Sequence, residues 1–326
     1  MEVKISIIMC IYNDGAYLKQ SLDSVLSQTL REIEVICIDD GSTDATGNIC
    51  DEYARKDSRI KVIHTPNRGV ADARNAGIDA SNGSYIVFAD GDDYLAEDYV
   101  EYLYSLCSSH DADAACCAWT LNDNGTLRKC SYRKNEPGSY IGNHEAMRAL
   151  LTTRLLSSSM WGKIFRKELF AEVRFPEGTD YYEDDATMYR LISKAESVVL
   201  GGEAKYFYTL RQDSMIHRSF NDNNLKMIKV FEDRCSFIES NYPELAVYAR
   251  SDVLMSVNHC VIKMCDEKLF DHPCIADLKI YYRQYEQDYL KGISYLPAKL
   301  FSIAAYINIK AAMRLYRLTG KHARIN

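Results

Sequence analysis

In the first third of the chain, four short runs of aliphatic and β-branched residues recur, and a helical pattern follows each of them. The runs lie near 4–11, 33–38, 60–64 and 84–89, and the helical patterns lie near 15–28, 43–56, 69–80 and 96–109. Strands that alternate with helices form βαβ units, in which a parallel sheet is buried between helix layers. We therefore predict an α/β fold with a Rossmann-like, mostly parallel sheet flanked by helices.

The rest of the chain continues this domain and then changes character. We predict a strand near 112–120, a polar surface excursion at 121–142, a helix near 143–152, a segment at 161–166, a helix after Asp184 and a strand near 197–200. From about 222 the pattern is helical. The sequence thus predicts a first domain at 1–220, with halves at 1–120 and 121–220, and a helical C-terminal region at 221–326.

Composition and charge exclude several classes of protein. The net charge of -7 argues against nucleic acid as the main partner, because neutralising phosphates requires a basic surface. Eleven cysteines without a C-x-x-C pair predict free thiols in a reducing cytoplasm rather than disulfides or zinc ligands. No run reaches 18 apolar residues, and the strand-like N-terminus is too short for a signal peptide. We expect a cytoplasmic protein.

An acidic pair, Asp39-Asp40, closes the second run and opens a helix, for which Ser42 or Thr43 is the expected N-cap. The pair either belongs to a capped turn or accepts hydrogen bonds from a ribose or base, as an acid does at this position in dinucleotide-binding folds. No G-x-G-x-x-G occurs in the chain, which disfavours a dehydrogenase.

Three carboxylates lie within four residues in Asp90-Gly91-Asp92-Asp93, after the fourth run. They repel one another unless a positive group joins them. Mg²⁺ or Mn²⁺ is the simplest such group, because it binds one or two carboxylates and completes its shell with substrate phosphate oxygens. The alternative is a solvated turn before the next helix.

A third acidic segment, Glu183-Asp184-Asp185, directly precedes a helical pattern. The helix dipole favours acids at a helix N-terminus, and this effect alone would account for their presence. The alternative is catalytic, because transfer to a hydroxyl requires a carboxylate within reach of its proton.

Five segments closely resemble the motifs of glycosyltransferase family 2, in the family's order. They are Ser6–Asn13, Ser24–Thr29, Asp39–Asp44, Gly69–Gly77 and Phe88–Asp93, and the likeness resumes at Trp161–Phe165 and at Glu183-Asp184. The resemblance implies an inverting enzyme with the GT-A fold, of the type that builds bacterial cell-surface polysaccharides. Such an enzyme is expected to move a hexose from a nucleoside diphosphate sugar to a hydroxyl of a saccharide or lipid-linked saccharide. The expected donor is a UDP-sugar.

The resemblance also implies roles for individual residues. It assigns nucleotide contacts to Cys10, Tyr12, Asp39, Asp40, Arg74, Asp90, Gly91 and Arg211, metal contacts to Asp92, Asp90 and His217, and catalysis to Asp184, Asp185 and Glu183. The expected cofactor is Mn²⁺ or Mg²⁺, residues 1–120 would hold the nucleotide sugar, and residues 121–220 would face the acceptor. Asp184 matches the family's base, with Asp185 as an alternative one position later. His217 is equally explained as a surface or satisfied histidine.

Two other functions are compatible with parts of this pattern. A sugar-phosphate nucleotidyltransferase usually has a Gly-rich loop with Arg and Lys after its first strand, where this chain has Asn13–Tyr17. A catalytically inactive nucleotide-sugar-binding module would be expected to have lost one of the acidic sites, and all are present.

The C-terminal end is basic. Residues 291–326 contain seven Lys or Arg and no Asp or Glu, so that the preceding residues hold a net charge of -14. In helical spacing Lys310, Arg314, Arg317 and Lys321 form one stripe on an otherwise apolar helix. Such a helix either lies peripherally on the anionic inner face of the cell membrane or packs on its own domain or a second subunit of a homo-oligomer.

Overall fold

The computed structural model describes residues 2–123, 125–130, 139–152, 156–178, 182–211, 220–221, 223–292 and 296–318, and only the backbone of residues 129, 130, 317 and 318. The chain divides into two compact units, Met1–Gln212 and Asp213–Asn326. The described part of the first unit contains ten β-strands and six α-helices, and that of the second contains four α-helices.

The strands of the first unit form one sheet. They are β1 (Ile5–Ile11), β2 (Ile33–Asp39), β3 (Ile60–His64), β4 (Tyr85–Asp90), β5 (Tyr94–Leu95), β6 (Ala114–Asp123), β7 (Thr126–Cys130), β8 (Ser139–Gly142), β9 (Lys163–Arg166) and β10 (Ser197–Thr209). Their order is β3-β2-β1-β4-β9-β6-β10-β5, with β7 beside β6 and β8 beside β10. The first four strands in this order are parallel, whereas β9 is antiparallel to both of its neighbours. The sheet is therefore parallel at one side and mixed at the other.

The helices of the first unit are α1 (Leu18–Leu26), α2 (Thr46–Lys56), α3 (Val70–Ala80), α4 (Tyr99–His110), α5 (Asn143–Thr152) and α6 (Glu183–Lys194). The expected cap of α2 by Ser42 or Thr43 is wrong, because the helix begins at Thr46, whose N–H donates to the Asp44 carboxylate at 2.9 Å. The Ser42 hydroxyl instead accepts the Asn13 N–H at 3.0 Å. This bond ties the loop after β1 to the loop after β2.

The segment predicted as a surface excursion is partly sheet. Strand β6 extends to Asp123, β7 returns alongside it, and β8 pairs with β10. Residues 124 and 131–138 of that segment lie outside the described residues. The sequence does not predict these strands, because they are short and their described residues are only partly buried or exposed.

Helix α3 approaches the sheet unusually closely. A side chain at Gly77 would place its Cβ 2.3 Å from Ile8 of β1, so that only glycine fits there. Arg74 lies one turn earlier on the same face of α3, because residues three apart are neighbours on a helix. The close packing therefore holds Arg74 against the carboxyl ends of β1 and β4.

The second unit consists of α7 (Asn223–Asn241), α8 (Ala246–Asp266), α9 (Ile275–Gly292) and α10 (Leu296–Leu318). Helix α8 packs against the other three. Two hydrogen bonds join polar groups buried between them: the Tyr282 hydroxyl donates to Asn258 at 2.6 Å, and the Ser302 hydroxyl donates to Glu286 at 2.8 Å. Helix α10 bends at Asn308, whose φ of -155° and ψ of 104° are not helical.

None of the helices in the described part of the chain is both long and apolar enough to cross a membrane.

Candidate active site

The carboxyl ends of β2, β1 and β4 meet at one edge of the sheet. In the parallel register Ile11 lies beside Asp39, and Cys10 lies beside Asp90. Ligands of open α/β sheets bind at this edge. The structure thus brings together the site residues that the sequence predicts at these three strand ends. Tyr12, directly after β1, is 48% exposed, and its ring is accessible for stacking.

Both acids at the end of β2 are buried and bound by the protein's own groups. The Asp40 carboxylate accepts the backbone N–H groups of Arg68 and Gly69 at 2.9 and 2.8 Å, and the Thr65 hydroxyl at 3.1 Å. The Asp39 carboxylate accepts the Ser42 N–H at 3.1 Å and lies 2.8 Å from Nδ1 of His64. The pair therefore holds the loops beside the nucleotide edge in shape, and its direct contact with a nucleotide stays a prediction.

The carboxylate of Asp90 ends β4 in a different environment. The pKa of Asp90 is raised to about 7, chiefly by burial and also by the charges of Asp92 and Asp14, while Arg74 opposes the shift. A Cβ at the next residue, Gly91, would lie 2.7 Å from an Asp14 carboxylate oxygen and would displace that side chain. Gly91 thus allows the loops after β1 and β4 to bring their acids together.

Asp14 and Asp92 are bridged by one cationic nitrogen. Nη1 of Arg211, just after β10, donates to Asp14 at 2.6 Å and to Asp92 at 3.2 Å. The guanidinium also lies 4.9 Å from the centre of the Tyr17 ring. Burial and the neighbouring Asp92 raise the pKa of Asp14 to about 6, against the opposing effect of Arg211. The carboxylates of Asp14 and Asp92 therefore form a site that attracts positive charge, and Arg211 occupies it.

The acids at the ends of β1 and β4 fit a divalent cation. Among the described residues no three His, Cys, Asp or Glu side chains are grouped as a complete metal site. Mg²⁺ and Mn²⁺ bind nucleotides through one or two carboxylates, with phosphate oxygens completing the shell, so a complete protein cage is not required. Burial first, and neighbouring acids second, raise the pKa values of Asp14 and Asp90, and Asp92 is partly exposed beside them. Asp92 and Asp90 are thus suited to such a cation, and His217 lies outside the described residues.

The acidic first turn of α6 lies against Arg74. Nη1 of this buried arginine donates to Glu183 at 2.8 Å and to Asp184 at 2.5 Å, and its guanidinium lies near the rings of Phe88 and Phe175. Asp184, Glu183 and Asp90 all raise the pKa of Arg74, against the effect of burial. Arg74 therefore links the end of β4 to the start of α6. Its assignment as a nucleotide contact stays a prediction.

Asp184 is held on both of its oxygens. Oδ1 accepts from Arg74, and Oδ2 accepts the Met160 N–H at 3.2 Å. The pKa of Asp184 is raised to about 7, chiefly by burial and also by the charge of Glu183, while Arg74 opposes the shift. A carboxylate with a pKa near neutrality and a fixed orientation has the properties of a general base. Asp185, the alternative base, follows it in the first turn of α6.

A buried lysine supports the segment that contacts Asp184. Nζ of Lys163 donates to the Ser159 carbonyl at 2.6 Å, to the Ser157 and Ser159 hydroxyls at 3.1 and 3.2 Å, and to the Trp161 carbonyl at 3.5 Å. Burial lowers the pKa of Lys163 to about 8. These bonds fix the turn that presents the Met160 N–H.

Aromatic rings, of which Tyr206 is fully buried and the others partly buried, line the neighbouring part of the sheet. Trp161 stacks on Tyr206 and Tyr208, with ring centres 4.8 and 5.5 Å apart, and meets Trp119 edge to face at 5.4 Å. The Tyr206 hydroxyl donates to Asp93 at 2.6 Å and accepts the Asp90 N–H at 3.3 Å. The aromatic cluster thus adjoins the acids at the end of β4. Asp93 is buried and bonded within the protein.

Three contributors to this site were missing from the sequence-based assignment: Asp14, Lys163 and Tyr206. Asp14 could have been found, because it follows β1 at the ligand edge. Lys163 and Tyr206 gave no such signal, since a single Lys or Tyr in a strand does not show which groups it will contact.

Comparison with known proteins assigns the family. The model of the family described as Glycosyl transferase family 2 matches residues 6–174, about half of the chain. Glycosyltransferase GlyG of Streptococcus pneumoniae serotype 4 is 32% identical over 244 residues, which cover 72% of this chain and 81% of that protein. The poly(ribitol-phosphate) beta-glucosyltransferase of Bacillus spizizenii is 29% identical over 217 residues, covering 65% of this chain and 33% of that one. The chain belongs to glycosyl transferase family 2 and is a glycosyltransferase.

The fold has a solved counterpart. The crystal structure of S. aureus TarS 1–349 in complex with UDP-GlcNAc has a TM-score of 0.72 to this structure at 21% sequence identity, covering 99% of this chain and 93% of that one. This similarity confirms the predicted GT-A fold, an α/β sheet flanked by helices and followed by C-terminal helices.

Proposed function

We propose that the enzyme transfers a sugar from a UDP-sugar to a hydroxyl group of a saccharide or lipid-linked saccharide, with inversion, in the assembly of a bacterial cell-surface polysaccharide. One observation supports this most: Arg74 joins the carboxylates at the end of β4 to Asp184 at the start of α6. A site for a charged leaving group and a base for a hydroxyl thus lie side by side. The similarity to a poly(ribitol-phosphate) beta-glucosyltransferase and to a structure solved with UDP-GlcNAc supports these substrate classes.

The nucleoside diphosphate would bind at the carboxyl ends of β1, β2 and β4. Tyr12 is placed to stack on the base, because its ring is exposed beside the loops that Asp39 and Asp40 hold in shape. Asp92 and Asp90 would hold Mg²⁺ or Mn²⁺, which when bound neutralises charge that develops on the departing diphosphate. Arg211 would add a second positive group, because a guanidinium binds phosphate oxygens in the same way as the carboxylates it contacts here.

Asp184 would accept the proton of the attacking hydroxyl as the acceptor oxygen approaches the anomeric carbon. Arg74 and the Met160 N–H keep its carboxylate in one orientation, and such preorganisation is what general-base catalysis requires. The new bond forms on the face opposite the departing diphosphate, so a single displacement inverts the configuration at that carbon.

The acceptor would lie over the aromatic cluster of Trp119, Trp161 and Tyr208. Their half-buried rings adjoin Asp90 and present faces on which the apolar side of a sugar can stack. A hexose placed there would point a hydroxyl towards the strand ends.

A thermal-shift panel tests the donor. A ligand that binds only the folded state raises Tm, so UDP with Mn²⁺ should raise it more than GDP, CDP or TDP with Mn²⁺. Mn²⁺ alone and UDP with EDTA are the controls.

Product analysis then tests the reaction. Incubation of a UDP-hexose with an acceptor oligosaccharide should release UDP and form a new glycosidic bond of inverted configuration. Formation of a nucleoside diphosphate sugar from a nucleoside triphosphate and a sugar phosphate would indicate a nucleotidyltransferase instead, and donor binding without any turnover would indicate an inactive binding module.

A further inference from the structure

Exposed apolar side chains are concentrated on one helix. Of the ten large apolar side chains that are exposed among the described residues, six lie on α10. Four of these follow a strict helical spacing: Leu296, Leu300, Ile303 and Ile307. Residues at i, i+4, i+7 and i+11 share one face of a helix. We call this set the apolar stripe; its members are between 40% and 72% exposed.

The opposite face of α10 already makes the contacts that hold the helix to its own unit. Ala298, Phe301, Ala305, Ile309 and Met313 are buried, and α10 packs on α8 and α9. Packing within the unit therefore accounts for these residues and leaves the apolar stripe on the outside. Scattered apolar residues on a surface are ordinary, but a contiguous stripe indicates an interaction surface.

The charges around the stripe are positive. Helix α10 contains no Asp or Glu, and Lys299, Lys310 and Arg314 flank the stripe or follow it. Lys310 donates to Asp271 at 2.5 Å, so one of these cations is shared with a neighbouring acid. The side chain of Arg317 and all of Lys321 lie outside the described residues. An apolar face bordered by Lys and Arg matches an anionic lipid interface, where acyl chains meet negative head groups.

A second copy of the chain fits this face less well. The twelve residues from Leu296 to Ile307 span about 18 Å at 1.5 Å per residue, on a helix about 10 Å wide. That area is far below the roughly 800 Å² per partner of a stable interface. Pairing two such faces would also bring like charges together, because the helix offers no acid of its own.

We propose that the apolar stripe of α10 is a membrane-docking surface that inserts into the interface of an anionic bilayer. The sequence pattern indicates contact with head groups through the basic stripe that begins at Lys310. The structure adds a different set of residues, the apolar stripe, for contact with acyl chains. The basic residues then supply attraction to the head groups. This assignment is independent of the transfer reaction and of the donor.

Vesicle co-sedimentation of the full chain tests the surface. The wild type should sediment with phosphatidylglycerol vesicles at low salt, sediment little with phosphatidylcholine vesicles, and be partly released by salt, because ions screen the attraction. Each aliphatic side chain that leaves water contributes roughly one order of magnitude in partition. Leu300→Gln/Ile307→Gln should therefore lower binding at least about ten-fold. Ile280→Gln, an exposed aliphatic residue of α9, is the matched control and should bind as the wild type does.

Several outcomes would overturn the proposal. They are a wild type that stays in the supernatant at low salt, equal binding to neutral vesicles, and a control variant that loses as much binding as the double variant. A concentration-dependent dimer that the double variant abolishes, without vesicle binding, would assign the face to a second copy. Circular dichroism melting checks folding, and Leu296→Gln/Ile303→Gln provides a second pair on the same stripe.

Discussion

Two acidic strand ends in this site look alike in sequence and differ in environment. After β2, the carboxylates of Asp39 and Asp40 accept hydrogen bonds from backbone and side-chain groups of adjacent loops. After β4, the carboxylates of Asp90 and Asp92 face one another and Asp14, and the partners available are cationic side chains. The first pair is built into the protein, whereas the second cluster retains a surplus of negative charge.

The difference indicates where a ligand is needed. Backbone N–H groups satisfy a carboxylate permanently, because they belong to the folded chain and cannot leave. Asp14 and Asp90, whose pKa values are raised, are instead stabilised by any cation that binds them, and acids of this kind cluster at functional sites. Asp184 combines both features, because a backbone N–H and Arg74 hold its oxygens while its pKa is also raised to about 7. Substitutions can test this division.

The largest effect is expected at Asp184. Asp184→Asn removes the base but keeps its shape, so turnover should fall by roughly 10²–10⁴ while donor affinity changes little. Turnover is measured as UDP release in the presence of an acceptor saccharide, and donor affinity is measured by calorimetry. Asp185→Asn is the matched control and should be milder. If Asp185→Asn gives the slower enzyme, the base has been placed one residue too early.

The next effect concerns the metal. Asp92→Asn removes one ligand charge at nearly constant volume, so the fold should persist while Mn²⁺ no longer strengthens UDP binding. Calorimetric titration of UDP with Mn²⁺ or with EDTA measures this dependence. Asp79→Asn, on the outer side of α3 where it pairs with Arg174, is the control. An undiminished response to Mn²⁺ in Asp92→Asn would remove this residue from the cation site.

Stability should separate the two strand ends directly. Asp40→Asn turns one acceptor into a donor against the N–H groups of Arg68 and Gly69, which should cost roughly 1–3 kcal/mol of unfolding free energy. Asp90→Asn should instead increase the free energy of unfolding at pH 8 in EDTA. The folded protein raises the pKa of Asp90 to about 7, so ionisation of this acid lowers stability as pH rises from about 4 to 7.

Urea denaturation of both variants at pH 8 measures these changes. A neutral side chain at position 90 should stabilise the protein by roughly 1–3 kcal/mol, because it removes an ionised group that the fold disfavours. Equal destabilisation by both substitutions would show that the acids at the two strand ends contribute to stability in the same way.

The sequence predicts the parallel half of the fold well, because each of its strands is a buried run and each helix an amphipathic pattern, and both signals are local. Strand β10 was predicted only near 197–200 and extends to Thr209, since its later residues are held by pairing with β6 rather than by their own hydrophobicity. The start of α2 was placed wrongly because Ser42, Thr43 and Asp44 all favour caps. Only the structure shows that the helix begins at Thr46 and that Asp44 accepts the N–H of that residue.

The site was predictable to a similar degree. Its acids lie at strand ends, which the sequence reveals, but their connections join distant positions. Arg74 and Asp184 are 110 residues apart, and Arg211 and Asp14 are 197 apart. No periodicity or spacing relates such pairs, so that the bridging role of both arginines emerges only from the folded chain.

The smallest effect is expected at His64, which lies between the carboxylates of Asp39 and Asp51 at 2.8 and 3.2 Å. Hydrogen bonds to Asp39 and then to Asp51 raise the pKa of His64 in the folded protein. A raised histidine pKa adds stability that is fully present below the ordinary value of about 6.5 and is lost as pH rises through the folded value. Because the side chain is 48% exposed, screening should limit the gain to a fraction of 1 kcal/mol.

Urea denaturation at pH 5.5 and 8.5 should show His64→Gln losing stability mainly at the lower pH. His110→Gln, whose ring bonds a hydroxyl and a carbonyl oxygen instead of carboxylates, should not show that dependence. If both variants lose stability equally at the two pH values, the contact between His64 and the Asp39 carboxylate does not stabilise the end of β2.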